Sequence, residues 1–218
     1  LFATMKKDGR EIVEHFEKAA CFSILHGLAV YETKGWGETL RARYKPPQTT
    51  AYLFSKHEIA AYKNNYGLEE GEMKVVGVPR HERRWIERIL QESKNDVPES
   101  WARFIFLISR PANSDFFSKE EKRQALEDIR KLAFEELQCK IVIKVHPTER
   151  VPKNSNAALF DEILGAQAYG KEWIYSSMHS CALGTRSMFA VAFHSGVAVD
   201  MLAIGVPVAW LTSCCEFP

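Results

Sequence analysis

Short apolar segments that alternate with amphipathic helical segments are the feature that most constrains the fold of this chain. The pattern is clearest in the second half, where the runs RFIFLIS, IVIKV and MFAVAF are separated by segments of helical period. One of these helices is predicted to begin at Ser118, because Ser118 and Glu121 have the spacing of a capping box. Such alternation predicts an α/β protein whose parallel sheets are covered by helices on both faces.

A polar, proline-containing segment (residues 93–100) divides the alternating pattern into two series and predicts a domain boundary. We therefore expect two Rossmann-like parallel-sheet units: a partial N-terminal domain over residues 1–97 and a C-terminal domain over residues 98–218. The chain begins at Leu1 and ends shortly after its last apolar run. We accordingly expect it to be a fragment of a longer protein.

Composition argues against several classes of partner and site. The formal net charge of +1 predicts no nucleic-acid partner, and no apolar run reaches the ~18 residues of a membrane span. The 5 cysteines include no CxxC pair, which disfavours a disulfide framework or structural zinc and favours a reducing cytoplasm. A basic, aromatic loop (residues 34–45) leaves peripheral membrane contact open, although a solvated loop is the simpler account.

The strongest site candidates directly follow apolar runs, because ligands of open α/β sheets bind beyond the carboxyl ends of the strands. Lys144 and His146 lie at the end of one run and offer a charge and a hydrogen-bond donor to a phosphate. Ser195, Gly196 and Val197 follow another run and begin a helix, whose amide groups attract anions. A strand-ending surface histidine and an ordinary helix cap would explain the same residues.

Two further candidates lie in the first half of the chain. His26 follows the run CFSIL and is a candidate general base, because the ordinary pKa of histidine is near neutrality. Arg80 follows a Gly-Val-Pro turn and is a candidate phosphate contact, with a purely structural role as the alternative. The sequence holds no HExxH, DxD, GxGxxG or P-loop motif, so we predict no metal site and no nicotinamide or ATP cofactor.

Taken in order, four segments carry a resemblance: Ile24–Gly27, Val76–Arg80, Ile143–Pro147 and Phe193–Val208. Together they resemble the capsule polysaccharide synthesis, polysialyltransferase and CDP-glycerol glycerophosphotransferase-like group of glycosyltransferases. The resemblance covers roughly residues 20–211 and implies the GT-B fold, in which two Rossmann-like domains face each other across a cleft. It also implies that the N-terminal domain takes the acceptor and the C-terminal domain binds the nucleotide donor.

The resemblance assigns roles to individual residues. It implies that His146 stabilises the leaving phosphate, that Ser195 and Gly196 hold phosphate, and that Asp200 contacts the ribose. His26 becomes the catalytic base, and no bound metal is needed for the chemistry. Two departures are that the group often has two consecutive hydroxyl residues where this chain has Ser195-Gly196, and that a complete GT-B enzyme has further elements at both ends.

The function implied is transfer of a sugar or polyol phosphate in surface polysaccharide synthesis. The donor would be a nucleotide-activated sugar or CDP-polyol, and the acceptor a glycan or a lipid-linked glycan. Two alternatives remain open from sequence. One is a nucleotide-sugar 2-epimerase-like enzyme, although such enzymes usually show Gly-Gly and paired acidic residues where only Asp200 is present here. The other is a non-catalytic α/β binding module.

Overall fold

The computed structural model describes residues 21–24, 49–112, 117–150, 156–193 and 195–211. The chain divides into two compact units, residues 1–82 and 83–218, and each contains its own parallel sheet. The predicted α/β class with parallel sheets is therefore confirmed. The units divide between Glu82 and Arg83, ahead of the polar segment at which the sequence suggested domains 1–97 and 98–218.

The first unit contains a three-stranded parallel sheet in the order β1-β2-β3. Its described elements are β1 (Cys21–Ile24), β2 (Thr49–Leu53), helix α1 (Glu58–Tyr66), a 3₁₀ turn (Glu70–Glu72), β3 (Met73–Val75) and a second 3₁₀ turn (Pro79–His81). Helix α1 ends at Gly67, whose φ of 64° is a left-handed conformation that glycine adopts at little cost. Leu53, Leu68 and Met73 are among the residues buried between sheet and helix.

The second unit contains a five-stranded parallel sheet in the order β6-β5-β4-β7-β8. Its strands are β4 (Phe104–Ile108), β5 (Lys140–Lys144), β6 (Trp173–Tyr175), β7 (Phe189–Ala192) and β8 (Val208–Trp210). The first strand of the unit is central, and the chain first adds strands on one side of it and then on the other. This is the strand order of a Rossmann fold.

Helices cover both faces of this sheet. They are α2 (Arg83–Glu92), α3 (Lys119–Arg130), α4 (Asn156–Phe160), α5 (Ser180–Gly184) and α6 (Val197–Ala203). Helix α3 continues as a π-helix (Lys131–Glu136), and α4 continues as a π-helix (Asp161–Gly165) and a 3₁₀ turn (Ala166–Ala168). The predicted capping box at Ser118 is present. Within the described ranges, no helix is long and apolar enough to cross a bilayer.

The central strand β4 is buried along its whole length and serves two hydrophobic cores. Ile105 and Leu107 face the core formed with α3 and α4, whereas Phe104, Phe106 and Ile108 face the core formed with α2, α5 and α6. Successive side chains of a strand point to opposite faces, which produces this division. Each such side chain contributes about 1.5–3 kcal/mol by burial, so β4 anchors the sheet whose carboxyl edge is described below.

The polar segment 93–100 is built into the second unit. The Asp96 carboxylate accepts hydrogen bonds from Ser177 N at 2.6 Å, from Ser177 Oγ at 2.7 Å and from Ser176 Oγ at 2.5 Å. Burial raises the pKa of Asp96, but these hydrogen bonds outweigh that effect and leave its pKa below the ordinary value. The segment therefore supports the loop that follows β6.

Candidate functional site

The carboxyl edge of the five-stranded sheet has a topological switch point between β4 and β7. The chain leaves β4 towards α3 on one face and leaves β7 towards α6 on the other face. A crevice forms where neighbouring strands connect to opposite faces, and ligands of open α/β sheets bind there. Phe193 N donates to Ile108 O at 3.1 Å, which holds the start of both connections side by side.

His146 lies in a tight turn directly after β5. Its backbone N donates to Glu149 Oε2 at 2.8 Å, and its carbonyl accepts from Glu149 N at 2.8 Å. The surrounding protein desolvates the ring, which lowers the pKa of His146, and the positive charge of Arg110 lowers it further against the opposing charge of Glu149. His146 is therefore neutral at neutral pH and offers one ring N–H as a hydrogen-bond donor.

Lys144, the last residue of β5, belongs to a second group, which it forms with residues of the loop after β6. Its Nζ donates to the carbonyl of Met178 and, at 3.4 Å, to that of Ser177. The neighbouring His179 is exposed, yet desolvation of its ring lowers its pKa, and the charge of Lys144 acts in the same direction while that of Asp200 opposes it. The structure thus groups Lys144 with His179 and Asp200, and it groups His146 with Arg110 and Glu149.

The tautomer of His179 follows from its hydrogen bond. Its Nδ1 accepts from Cys181 N at 3.2 Å and caps helix α5. In the neutral ring the proton must then lie on Nε2, which becomes a donor. His179 Nε2–H, like a ring N–H of His146, is thus suited to an oxygen acceptor such as a phosphate.

Some polar groups of the turn after β7 are hydrogen-bonded to each other. Ser195 Oγ accepts from Val197 N at 3.3 Å, and Ser195 O accepts from Ala198 N at 3.0 Å. Helix α6 begins at Val197, with Gly196 at the N-cap position. The amide of Val197, predicted as a phosphate donor, is thus engaged inside the turn, whereas the hydroxyl proton of Ser195 is one group with which this turn can contact a ligand.

Two further candidates come from the first half of the chain. His26 lies outside the described residues. Arg80 lies in the 3₁₀ turn after β3 and belongs to the first unit, so its proposed phosphate contact stays a prediction. In the described part of the chain, no three His, Cys, Asp or Glu side chains are arranged as metal ligands.

Sequence reasoning overlooked two residues of the carboxyl edge. Arg110 lies two residues beyond the end of β4, and the rule that selected His146 would have selected it too. His179 follows β6 and precedes α5, a helix that the apolar periodicity did not predict because it has only five residues (Ser180–Gly184). Both residues are exposed or half-buried, so both are accessible to a ligand.

Comparison with known proteins adds solved structures of similar fold. No protein-family profile matches the sequence, and no curated protein matches it. Among solved structures, the chain is similar to the UDP-N-acetylglucosamine 2-epimerases of Rickettsia bellii (TM-score 0.60, 13% identity, 95% of this chain and 54% of that one) and Methanocaldococcus jannaschii (TM-score 0.59, 17% identity, 99% and 61%). It is also similar to the wall teichoic acid polymerase TagF (TM-score 0.52, 14% identity, 88% and 49%).

The chain has a GT-B-like fold. This likeness, at 13–17% identity, concerns the fold alone, and the matched proteins are enzymes. The chain spans 49–61% of the length of these matched proteins.

Proposed function

We propose that this chain is the donor-binding part of a transferase that moves a sugar or polyol phosphate from a nucleotide-activated donor to a glycan or lipid-linked acceptor. The observation that carries the proposal is the pair of polar groups on the carboxyl edge of a Rossmann-like sheet. One group presents His146 and Arg110 next to the switch point, and the other presents Lys144 and His179. Both combine a cation with a neutral histidine, which suits a phosphate-containing ligand.

Such a transfer requires the protein to stabilise the nucleotide that leaves the donor. Negative charge accumulates on the leaving phosphate in the transition state, and fixed donors aimed at that charge lower the barrier. Arg110 supplies a full positive charge, whereas His146 and the Ser195 hydroxyl supply hydrogen bonds. Asp200 would contact the ribose of the donor directly, or it would act on the donor indirectly through His179. His26 would act as the base on the acceptor hydroxyl.

Calorimetric titration with CMP, CDP, UDP and GDP tests the donor site. We expect one nucleotide to bind the chain and His146→Ala to weaken that binding about tenfold or more, because a hydrogen bond to a charged group is worth about 1.5–3 kcal/mol. The matched control is His57→Ala, which removes an exposed histidine of the first unit and should leave the affinity unchanged. Equal losses for the two variants, or no binding by a folded sample, would contradict the proposal.

A 2-epimerase acting on a nucleotide sugar is the second candidate. It stays open because the two matched 2-epimerases and the matched teichoic acid polymerase share this fold, so the likeness is compatible with either function. Incubation with UDP-N-acetylglucosamine and no acceptor distinguishes the two, with proton NMR of the sugar as the readout. Appearance of the 2-epimer would replace the transferase proposal, whereas nucleotide release that depends on an added acceptor would support it. Affinity for nucleotides without either reaction would indicate a binding module.

A further inference from the structure

A buried ion pair lies beneath the carboxyl edge of the sheet. Lys122 Nζ and Glu149 Oε1 are 2.7 Å apart, and the two side chains are 0% and 1% exposed. Lys122 Nζ also donates to Arg110 O at 2.7 Å and to Ser109 Oγ at 3.1 Å. All three protons of the ammonium group thus have acceptors within hydrogen-bond distance, as a buried charge requires.

This ion pair connects the three segments that carry the first polar group. Lys122 comes from α3, Arg110 follows β4, and Glu149 follows β5. The two oxygens of the carboxylate have different partners: Oε1 accepts from Lys122 and Ser109, while Oε2 accepts from the backbone N of His146. One carboxylate therefore links a buried cation to the main chain of His146.

Stability alone does not account for a charged pair at this place. Lys122 Nζ lies 5.2 Å from the centre of the Phe160 ring and 5.7 Å from that of Phe193, so its surroundings are largely apolar. Desolvation lowers the pKa of Lys122 against the opposing effect of Glu149. Apolar side chains of similar volume are often as stable as a buried ion pair, whereas an ion pair adds directional contacts that select one arrangement.

We propose that Lys122 and Glu149 are positioning residues, which fix the main chain of His146 and Arg110 so that both side chains face the donor phosphate. This inference rests on the proposed function and deepens it. Neither residue touches the donor, because both are buried. They act through Glu149 Oε2 on His146 and through the carbonyl of Arg110.

The test replaces the ion pair by apolar residues in the double variant Lys122→Met/Glu149→Leu. The matched control is Lys140→Met/Glu172→Leu, which removes a 2.9 Å ion pair at the opposite end of β5 whose side chains are 32% and 44% exposed. If the first double variant does not unfold cooperatively, Glu149→Gln takes its place. Its amide oxygen still accepts from Lys122, while its amide nitrogen cannot accept from the N–H of His146.

The first readout is amide hydrogen exchange, which needs no nucleotide. In the unaltered chain and in the control we expect the His146 amide to be protected, because it donates to a buried carboxylate. In the ion-pair variant it should exchange at least about tenfold faster. The amide of Ser109, which donates to Lys144 O at 3.0 Å in the sheet, should stay protected. Unchanged protection of His146 would overturn the proposal.

The second readout is the coupling between the ion pair and His146 in nucleotide affinity, measured by adding His146→Ala to each background. The nucleotide is CDP or UDP, whichever binds. In the unaltered chain and in the control, His146→Ala should weaken binding about tenfold or more. In the ion-pair variant, the same substitution should weaken binding less than about twofold. An equal effect in all backgrounds would also overturn the proposal. If neither nucleotide binds the unaltered chain, the proposed function fails, and hydrogen exchange alone decides the positioning role.

Discussion

The substitution Lys122→Met should be among the most destabilising single changes in the second unit. It removes the ammonium group that lies 2.7 Å from the buried Glu149 carboxylate, together with three hydrogen bonds of 2.7–3.1 Å. Breaking a buried pair by deleting one partner costs about 3–5 kcal/mol, since the remaining charge is left without compensation. The double variant Lys122→Met/Glu149→Leu removes that charge as well and leaves a few unsatisfied polar groups, which cost about 1–3 kcal/mol.

Urea unfolding followed by tryptophan fluorescence measures the loss of unfolding free energy in the single and in the double variant. Four of the 5 tryptophans of the chain lie in the second unit, so the signal reports mainly on that unit. The decisive comparison is between the single and the double variant at unchanged m-value. If the double variant is less stable than Lys122→Met, removal of the Glu149 charge does not restore stability, and the reasoning from an uncompensated charge is wrong.

Three further predictions concern stability. Ser118→Ala should cost about 1 kcal/mol of unfolding free energy, because it removes the cap of α3, and urea midpoints will measure it. Trp173→Phe should cost about 1–3 kcal/mol by the same measurement, because it leaves the carbonyl of Gly165 without the indole donor that now lies at 2.9 Å. Stability should fall as the pH drops below 6.5, because the folded-state pKa values of His146 and His179 lie below that ordinary value and the unfolded chain binds more protons there. Urea midpoints compared between about pH 7 and pH 5 should show a shallower fall when both histidines are replaced by Ala.

Much of the fold could be predicted because apolar periodicity and chain-breaking residues are local signals. Helix α6 (Val197–Ala203) begins where the sequence predicts, directly after Gly196, and it ends ahead of Gly205, whose φ is 79°. Ser55, whose residue type is typical of an N-cap before α1, accepts from His57 N at 3.2 Å through its Oγ, and the Glu58 carboxylate accepts from Phe54 N and Ser55 N. The regular helix begins three residues later, at Glu58.

The position of the candidate site could be predicted from the sequence, but the contacts between its side chains could not. That His146 and Ser195 follow strands can be read from sequence, because each ends an apolar run. Which side chains meet depends on the order of strands in the sheet, and periodicity does not encode that order. Lys122 and Glu149 look like solvated charges, since Lys122 lies among charged neighbours in α3. Only the packed structure reveals that both are buried.

The position of β4 at the centre of the sheet has a consequence for how the protein folds. During synthesis β5 and β6 can pair beside β4 soon after they emerge, but β7, on its other side, comes much later in the chain. Until β7 arrives, one edge of a wholly apolar strand has open hydrogen-bonding groups, which is a template for aggregation. A chain that ends after Tyr175 would keep that edge exposed, and the crevice would not yet exist.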